Sequence, residues 1–149
     1  MMMLPRSACY ALMATLDVAL HSRGRPVSSK DLAARHELPP RRLESLLQAL
    51  VRAGILKSVR GPSGGYSLAR ERRRLTVGEI VRVGLREEAA EAAAHRGPRL
   101  LAGVLEPVIQ DAEECALARL DAISLDELHA SALAMGFGER EDAGGDFTI

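Results

Sequence analysis

Apolar residues recur along most of this chain at the spacing of a helix rather than a strand. Tyr10, Met13, Leu16 and Leu20 lie three or four apart and Gly24 follows, which predicts a first helix from Ser7 to His21. After the loop Arg23-Gly24-Arg25-Pro26, a second helix is predicted to start at Ser28, with Asp31 completing a partial capping box and Leu32 and Ala33 turned inward. Leu38-Pro39-Pro40 breaks the chain, because proline cannot continue a helix but suits the first turn of the next. The third helix is predicted from Pro40 to Ala53: Leu43, Leu46, Leu47 and Leu50 fall at i, i+3, i+4 and i+7, and Gly54 sits where a helix ends. The period then changes. Ile55-Leu56-Lys57-Ser58-Val59 and Tyr66-Ser67-Leu68 read as strands around Arg60-Gly61-Pro62-Ser63-Gly64-Gly65, a β-hairpin with a broad tip.

Thr76-Val77-Gly78-Glu79 is a full capping box, predicting a helix to about Val83. The Ala- and Glu-rich stretch from Glu87 to Ala94 reads as a frayed helix, with Gly97-Pro98 and Gly103 as breakers. Glu106-Pro107 opens a long helix striped by Leu105, Ile109, Ala112, Ala116, Leu120 and Ile123 and flanked by Val108 and Cys115. Ser124-Leu125-Asp126-Glu127 is a further capping box, for a last helix ending at Gly136, and the polar, glycine-bearing 139–149 is expected to be mobile. No internal repeat is present. The fold class is mainly α with a small β-hairpin wing. Its expected parts are a winged helix-turn-helix domain over 1–84, a linker over 85–104, dimerisation helices over 105–136 and a tail over 137–149.

With 47% hydrophobic residues and few aromatics, the chain builds its core from aliphatic side chains. The net charge of zero argues against a nucleic-acid partner until its distribution is read. Residues 1–82 carry 15 Arg plus Lys against 6 Asp plus Glu, and residues 83–149 carry 5 against 14. A basic front and an acidic rear suit a chain of which one part meets a polyanion, although a solvated surface gives the same asymmetry. Neither a secretory signal nor a membrane-length apolar run is present, and two distant cysteines make no disulfide framework, so a soluble cytoplasmic protein is expected.

With the Leu43/Leu46/Leu47/Leu50 stripe inward, a rotation of about 100° per residue points Arg41, Ser45, Gln48 and Arg52 outward, with Arg42 and Glu44 on the flanks. That face suits a recognition helix, whose arginines pair with guanine O6 and N7 in the major groove; a solvated face looks the same. In the hairpin, Gly61, Gly64 and Gly65 have no evident packing use and let backbone N–H groups approach phosphates. Arg60 enters that loop and is long enough to reach a minor groove, while Arg70, Arg72, Arg73 and Arg74 offer phosphate contacts.

Tyr10-Ala11-Leu12, Leu16-Asp17-Val18-Ala19-Leu20, Leu75-Thr76-Val77-Gly78-Glu79-Ile80, Ile123-Ser124-Leu125-Asp126-Glu127-Leu128 and above all Ser58-Val59-Arg60-Gly61-Pro62-Ser63-Gly64-Gly65-Tyr66 resemble the Rrf2 (Rrf-two) family of bacterial regulators, the group containing IscR, NsrR and RirA. The resemblance implies a homodimer bound to a pseudo-palindromic, double-stranded DNA operator, with contacts from Arg41, Arg42, Glu44 and Ser45 and from Arg60 of the wing; Gln48 on the outward face and Gly61, Gly64, Gly65 and Tyr66 of the wing join them as candidate DNA-binding residues. It implies a dimer interface through Leu105, Val108, Ile109, Ala112, Cys115, Ala116 and Leu120. Glu44 matches a residue type that discriminates bases, by accepting from cytosine N4.

The chain departs from the sensor members in one respect. They hold an iron–sulfur cluster with three cysteines ahead of the dimerisation helix, and here the matching positions fall near Glu91, Gly97 and Gly103, with Glu106 near a fourth slot. Clusters need thiolates, so neither a cofactor nor a metal is expected, and Glu91 and His95 are read as solvent-facing. Cys9 and Cys115 admit a redox role, but both sit at packing positions. The rivals are a winged-helix adapter that binds protein instead of DNA, and an enzyme. Against the second, the chain has no P-loop, zinc spacing or nucleophile elbow, and its four histidines, His21, His36, His95 and His129, have no partner evident in the sequence.

Overall fold

The computed structural model describes residues 4–93 and 97–138. Within them lie α1 (Arg6–His21), α2 (Ser29–His36), α3 (Pro40–Arg52), β1 (Leu56–Val59), β2 (Gly65–Leu68), α4 (Val77–Ala92), α5 (Glu106–Asp121) and α6 (Leu125–Ala134). A 3-10 turn covers Arg72–Arg74 and a π turn Leu101–Leu105. Among the described residues no helix is long and apolar enough to cross a membrane. The expectation for 139–149 lies outside the described residues.

The front of the chain folds as its pattern predicts. Ser28 caps α2 by accepting from the Asp31 N–H at 3.1 Å. Glu37, at φ 51°, turns the chain out of α2, the Leu38 N–H closes on the Ala33 carbonyl at 3.1 Å, and Pro39-Pro40 launch α3. The leucine stripe of α3 is buried against Ala11, Ala14 and Val18 of α1, Leu32 of α2 and Ile80 of α4. The two strands pair antiparallel with Leu56 opposite Leu68 and Val59 opposite Gly65. A short bridge from Val27 to Tyr66, two N–H···O bonds of 2.8 Å, roots the hairpin in the loop before α2.

Three expectations change. The helix expected to stop near Val83 runs to Ala92. Gly84 does not end it: a Cβ there would strike the backbone of Ser7 and Ala8, so this glycine lets α4 lie close on α1. Beyond it, Ala and Glu are strong helix formers and nothing breaks the run. Gly103 is no breaker either, because the chain is helical from Arg99 onward and Gly103 lies inside the π turn. Pro107 accounts for that turn: its ring clashes with the carbonyl four residues back, that of Gly103, and widening the helix by one residue removes the clash. Finally, Leu120 and Ile123 pack inside their own chain, beside a small cluster of Ala8, Val77, Val81 and Leu117.

The two capping boxes lie back to back. Thr76 and Ser124 each accept from the N–H of their own Glu79 or Glu127, at 3.1 and 3.2 Å. The Val77 N–H bonds the Ile123 carbonyl and the Leu125 N–H the Leu75 carbonyl, both at 2.8 Å. Beside them Arg82 grips Asp121 with two bonds of 2.5 and 2.8 Å, in a space that only a glycine at position 78 leaves open. The end of α5 is thereby fixed to the start of α4.

Candidate nucleic-acid interface

The buried leucines fix the rotation of α3. Arg41, Glu44, Ser45, Gln48 and Arg52 are exposed and Arg42 is half-buried. The two helices ahead of α3 are joined by a charged knot. Asp17 is buried, at 2% exposure, and accepts from Arg35 at 2.9 and 2.6 Å and bonds His36 at 2.8 Å. His21 completes the knot at 3.3 Å. Burial pushes the Asp17 carboxyl up, but the bonds from Arg35 and His36 outweigh it and hold the group below the usual carboxylate range. His129 accepts from Arg72 at 2.7 Å; burial, reinforced by the Arg72 charge, pushes its imidazole down. Three of the histidines therefore do have partners, contributed by residues from 4 to 57 positions away. His95 lies outside the described residues.

The exposed face of α3 is not uniform. Arg41, Glu44 and Gln48 project without an ion pair among the described residues. Arg42 and Ser45 face the far end of α4 instead. Arg42 Nη2 donates to Glu88 Oε2 at 3.2 Å, to Glu91 Oε2 at 3.1 Å and to Ser7 Oγ at 3.1 Å. Ser45 Oγ donates to Glu87 Oε2 at 3.1 Å, and Arg52 lies 3.7 Å from the same carboxylate. Ser7 in turn donates to Glu88 at 2.5 Å, and this bond, more than the Arg42 charge, holds the Glu88 carboxyl below its ordinary range. Glu91 is thus ion-paired as well as exposed. A helical wheel gives the direction of Arg42 and Ser45 but not a partner 42 to 49 residues away, so these contacts had no signal in the sequence.

At the wing, Arg60 is exposed and unpaired among the described residues. Gly61, at φ 121°, turns the tip. Gly64 and Gly65 do have a packing use, contrary to the expectation: a Cβ on the first would strike the Val59 carbonyl, and on the second the Val27 backbone. Tyr66 is half-buried at the root of the hairpin and packs against the main core. Of the basic residues that follow, Arg70 is tied to Glu79 at 3.0 Å and Arg72 to His129 and to Asp126, the latter at 3.2 Å; Arg73, 3.7 Å from the same Asp126, and Arg74 stay exposed.

The second surface lies on the helix from Arg99 through α5. Leu105, Val108, Ile109, Ala112, Cys115 and Ala116 are exposed along it and Leu120 is half-buried. Leu100, Leu101 and Val104 extend the apolar strip backward, into the stretch read from the sequence as a linker. The donors in this region do not fit an iron–sulfur cluster. Glu91 is bound to Arg42, Gly97 and Gly103 offer no side chain, and the two thiols lie on α1 and in the middle of α5. Among the described residues no group of three His, Cys, Asp or Glu is placed to hold a metal ion.

Comparison with known proteins gives one result throughout. The Rrf2 model, described as an iron-dependent transcriptional regulator, matches residues 4–131. The HTH-type transcriptional regulator IscR of Xenorhabdus nematophila is 33% identical over 138 residues, covering 90% of this chain and 83% of that protein. IscR of Pectobacterium carotovorum is 32% identical over 138 residues with the same coverage. Among solved structures, T. potens IscR superposes with a TM-score of 0.66 at 33% identity, covering 88% of each chain. CymR, the global cysteine regulator of B. subtilis, superposes with a TM-score of 0.63 at 28% identity over 88% of this chain and 98% of its own. With a helical domain, a hairpin wing and an outward-facing third helix already in place, this chain belongs to the Rrf2 family of transcriptional regulators.

Proposed function

We propose that the chain is a sequence-specific DNA-binding repressor that reads a pseudo-palindromic operator as a homodimer and does so without an iron–sulfur cluster. The observation that carries this reading is the pairing of two free basic elements on one domain: Arg41 and Gln48 exposed on α3, and Arg60 exposed at the wing. A helix offering arginine, glutamate and glutamine matches the donor and acceptor pattern of base edges in the major groove, and an arginine on a narrow hairpin suits the minor groove beside it. The adapter reading gains no support from a surface whose outward apolar residues lie on another helix. Two-fold symmetry is supported by the exposed strip on α5, which has no cover among the described residues.

The test is titration of Arg60→Ala and Glu44→Ala against a selected operator and a scrambled duplex at fixed salt. Arg60→Ala is expected to cost about 1–3 kcal/mol on the operator and to relax any A·T preference beside each half-site. Glu44→Ala is expected to keep or raise general affinity while discrimination at one base pair falls. Arg60→Ala binding both duplexes like the unaltered protein would remove the wing from the groove.

A further inference from the structure

The acidic rear of this chain begins by folding back on its basic front. Three carboxylates from the last two turns of α4, Glu87, Glu88 and Glu91, converge on α3, where they engage Arg42, Ser45 and Arg52 at 3.1 to 3.7 Å. Gly84 makes this reach possible, because without its close seat on Ala8 the end of α4 would stand away from α1 and from the N-terminal half of α3. The grip is incomplete: Arg42 Nε is buried and has no hydrogen-bond partner among the described residues. Glu88 and Glu91 keep 39% and 63% of their side chains in water, so each gives up little solvation on binding Arg42 and can release it without being stranded.

Taking α3 as the DNA-reading helix, as proposed above, we infer that Glu87, Glu88 and Glu91 are an internal competitor for the phosphate backbone. In the free protein they hold Arg42 and Ser45. A duplex has to displace them before the N-terminal turns of α3 can use those residues. Arg41 and Gln48 then make first contact, and Arg42 joins only when a phosphate outbids two carboxylates. The arrangement lowers affinity for any DNA that is bound through its backbone alone, which is how non-specific DNA is bound. It therefore makes these three glutamates specificity-determining residues, although none of them needs to touch a base.

The test is a double-mutant cycle on the full chain, with operator affinity measured over a range of salt. Neutralising the carboxylates as Glu87→Gln/Glu88→Gln/Glu91→Gln removes charge but keeps shape, and Arg42→Ala is made with and without it. In the unaltered background Arg42→Ala is expected to change affinity less than about threefold, because the arginine is already engaged. In the neutralised background the same change is expected to cost about tenfold and to lower the salt slope by about one contact. General electrostatics cannot produce that difference, since the arginine removed is the same in both arms. Glu88→Gln alone, a milder variant for which folding is not in question, should give a difference of the same sign. An equal cost of Arg42→Ala in both backgrounds, on protein that binds its operator, overturns the competitor. Failure of every protein to prefer operator over scrambled duplex overturns the DNA reading beneath it.

Discussion

A single buried carboxylate, Asp17, shows how much of this domain's geometry hangs on a charge. It joins α1 to α2 through Arg35 and His36, with His21 one turn along α1 beside it, and so ties together the two helices that precede the turn into α3. Its side chain is 1% exposed, so removing the charge takes away a buried carboxylate that Arg35 grips with two bonds. Asp17→Asn is expected to destabilise the fold by about 3 kcal/mol, the lower end for breaking a buried pair, because Arg35 and His36 keep some contact with water. Thermal melting should fall by about 10 °C for a chain of this size. The pH dependence follows from the direction of the shift. The folded carboxyl titrates below its ordinary value of 3.8, so its contribution is complete above that value and is lost as pH falls through the folded one. Unaltered protein should therefore lose stability steeply below about pH 4, and Asp17→Asn should show a flatter acid limb. Parallel limbs in the two proteins would mean that Asp17 carries no such stabilisation.

At the scale of elements, Gly84 inverts a familiar rule. Alanine at an open helical position is better than glycine by about 1 kcal/mol. At position 84 the added methyl would press on the backbone of Ser7 and Ala8, and a backbone cannot step aside as a side chain does. Gly84→Ala is expected to destabilise by about 1–2 kcal/mol despite its gain in propensity, since overpacking costs about 1–3 kcal/mol. Ala89→Gly, on the exposed side of the same helix, should cost about 1 kcal/mol through propensity alone. Denaturant titration of both separates the two causes, and a stabilised Gly84→Ala would show that α4 is not seated on α1. The same glycine explains where the sequence could and could not be read. The stripe of α3, the capping boxes at Thr76 and Ser124 and the hairpin between Val59 and Gly65 are local patterns, and each became the element it predicted. Gly84 was unreadable because its reason, Ala8, lies at the other end of the domain. Gly103 misled for a similar cause: the helix around it answers to Pro107, four residues on. Of the site, Arg41, Glu44, Gln48 and Arg60 could be placed by helix periodicity and hairpin length. The capture of Arg42 and Ser45 by α4 could not, because periodicity gives direction without distance.

For the whole molecule the proposed assembly rests on the exposed helix. Leu100, Val104, Leu105, Val108 and Ile109 form a strip in which Leu100 and Val108 are each 69% exposed, on a chain whose other described leucines, Leu101 apart, are buried or half-buried. Large contiguous apolar surface on a folded domain marks an interface, and in the proposed dimer a second copy would supply the complementary strip by symmetry. The other face of α5 is already used, by Leu117 against α4 and by Asp121 against Arg82, so the strip is held rigidly relative to α3 and the wing. A dimer through this strip would present two recognition helices at a fixed separation, as a pseudo-palindromic operator requires. Light scattering should report twice the chain mass of 16.0 kDa at micromolar concentration. Val108→Glu/Ile109→Glu places charge at the centre of the strip and is expected to give the single-chain mass with unchanged helical content. Each released domain keeps α3 and Arg60, so contact with one half-site survives. The linkage between half-sites does not, and operator affinity should fall by at least about 100-fold while affinity for a single half-site stays the same. Unaltered protein that is monomeric at those concentrations, or a double variant that still binds the full operator normally, would rule out two-fold recognition through this helix.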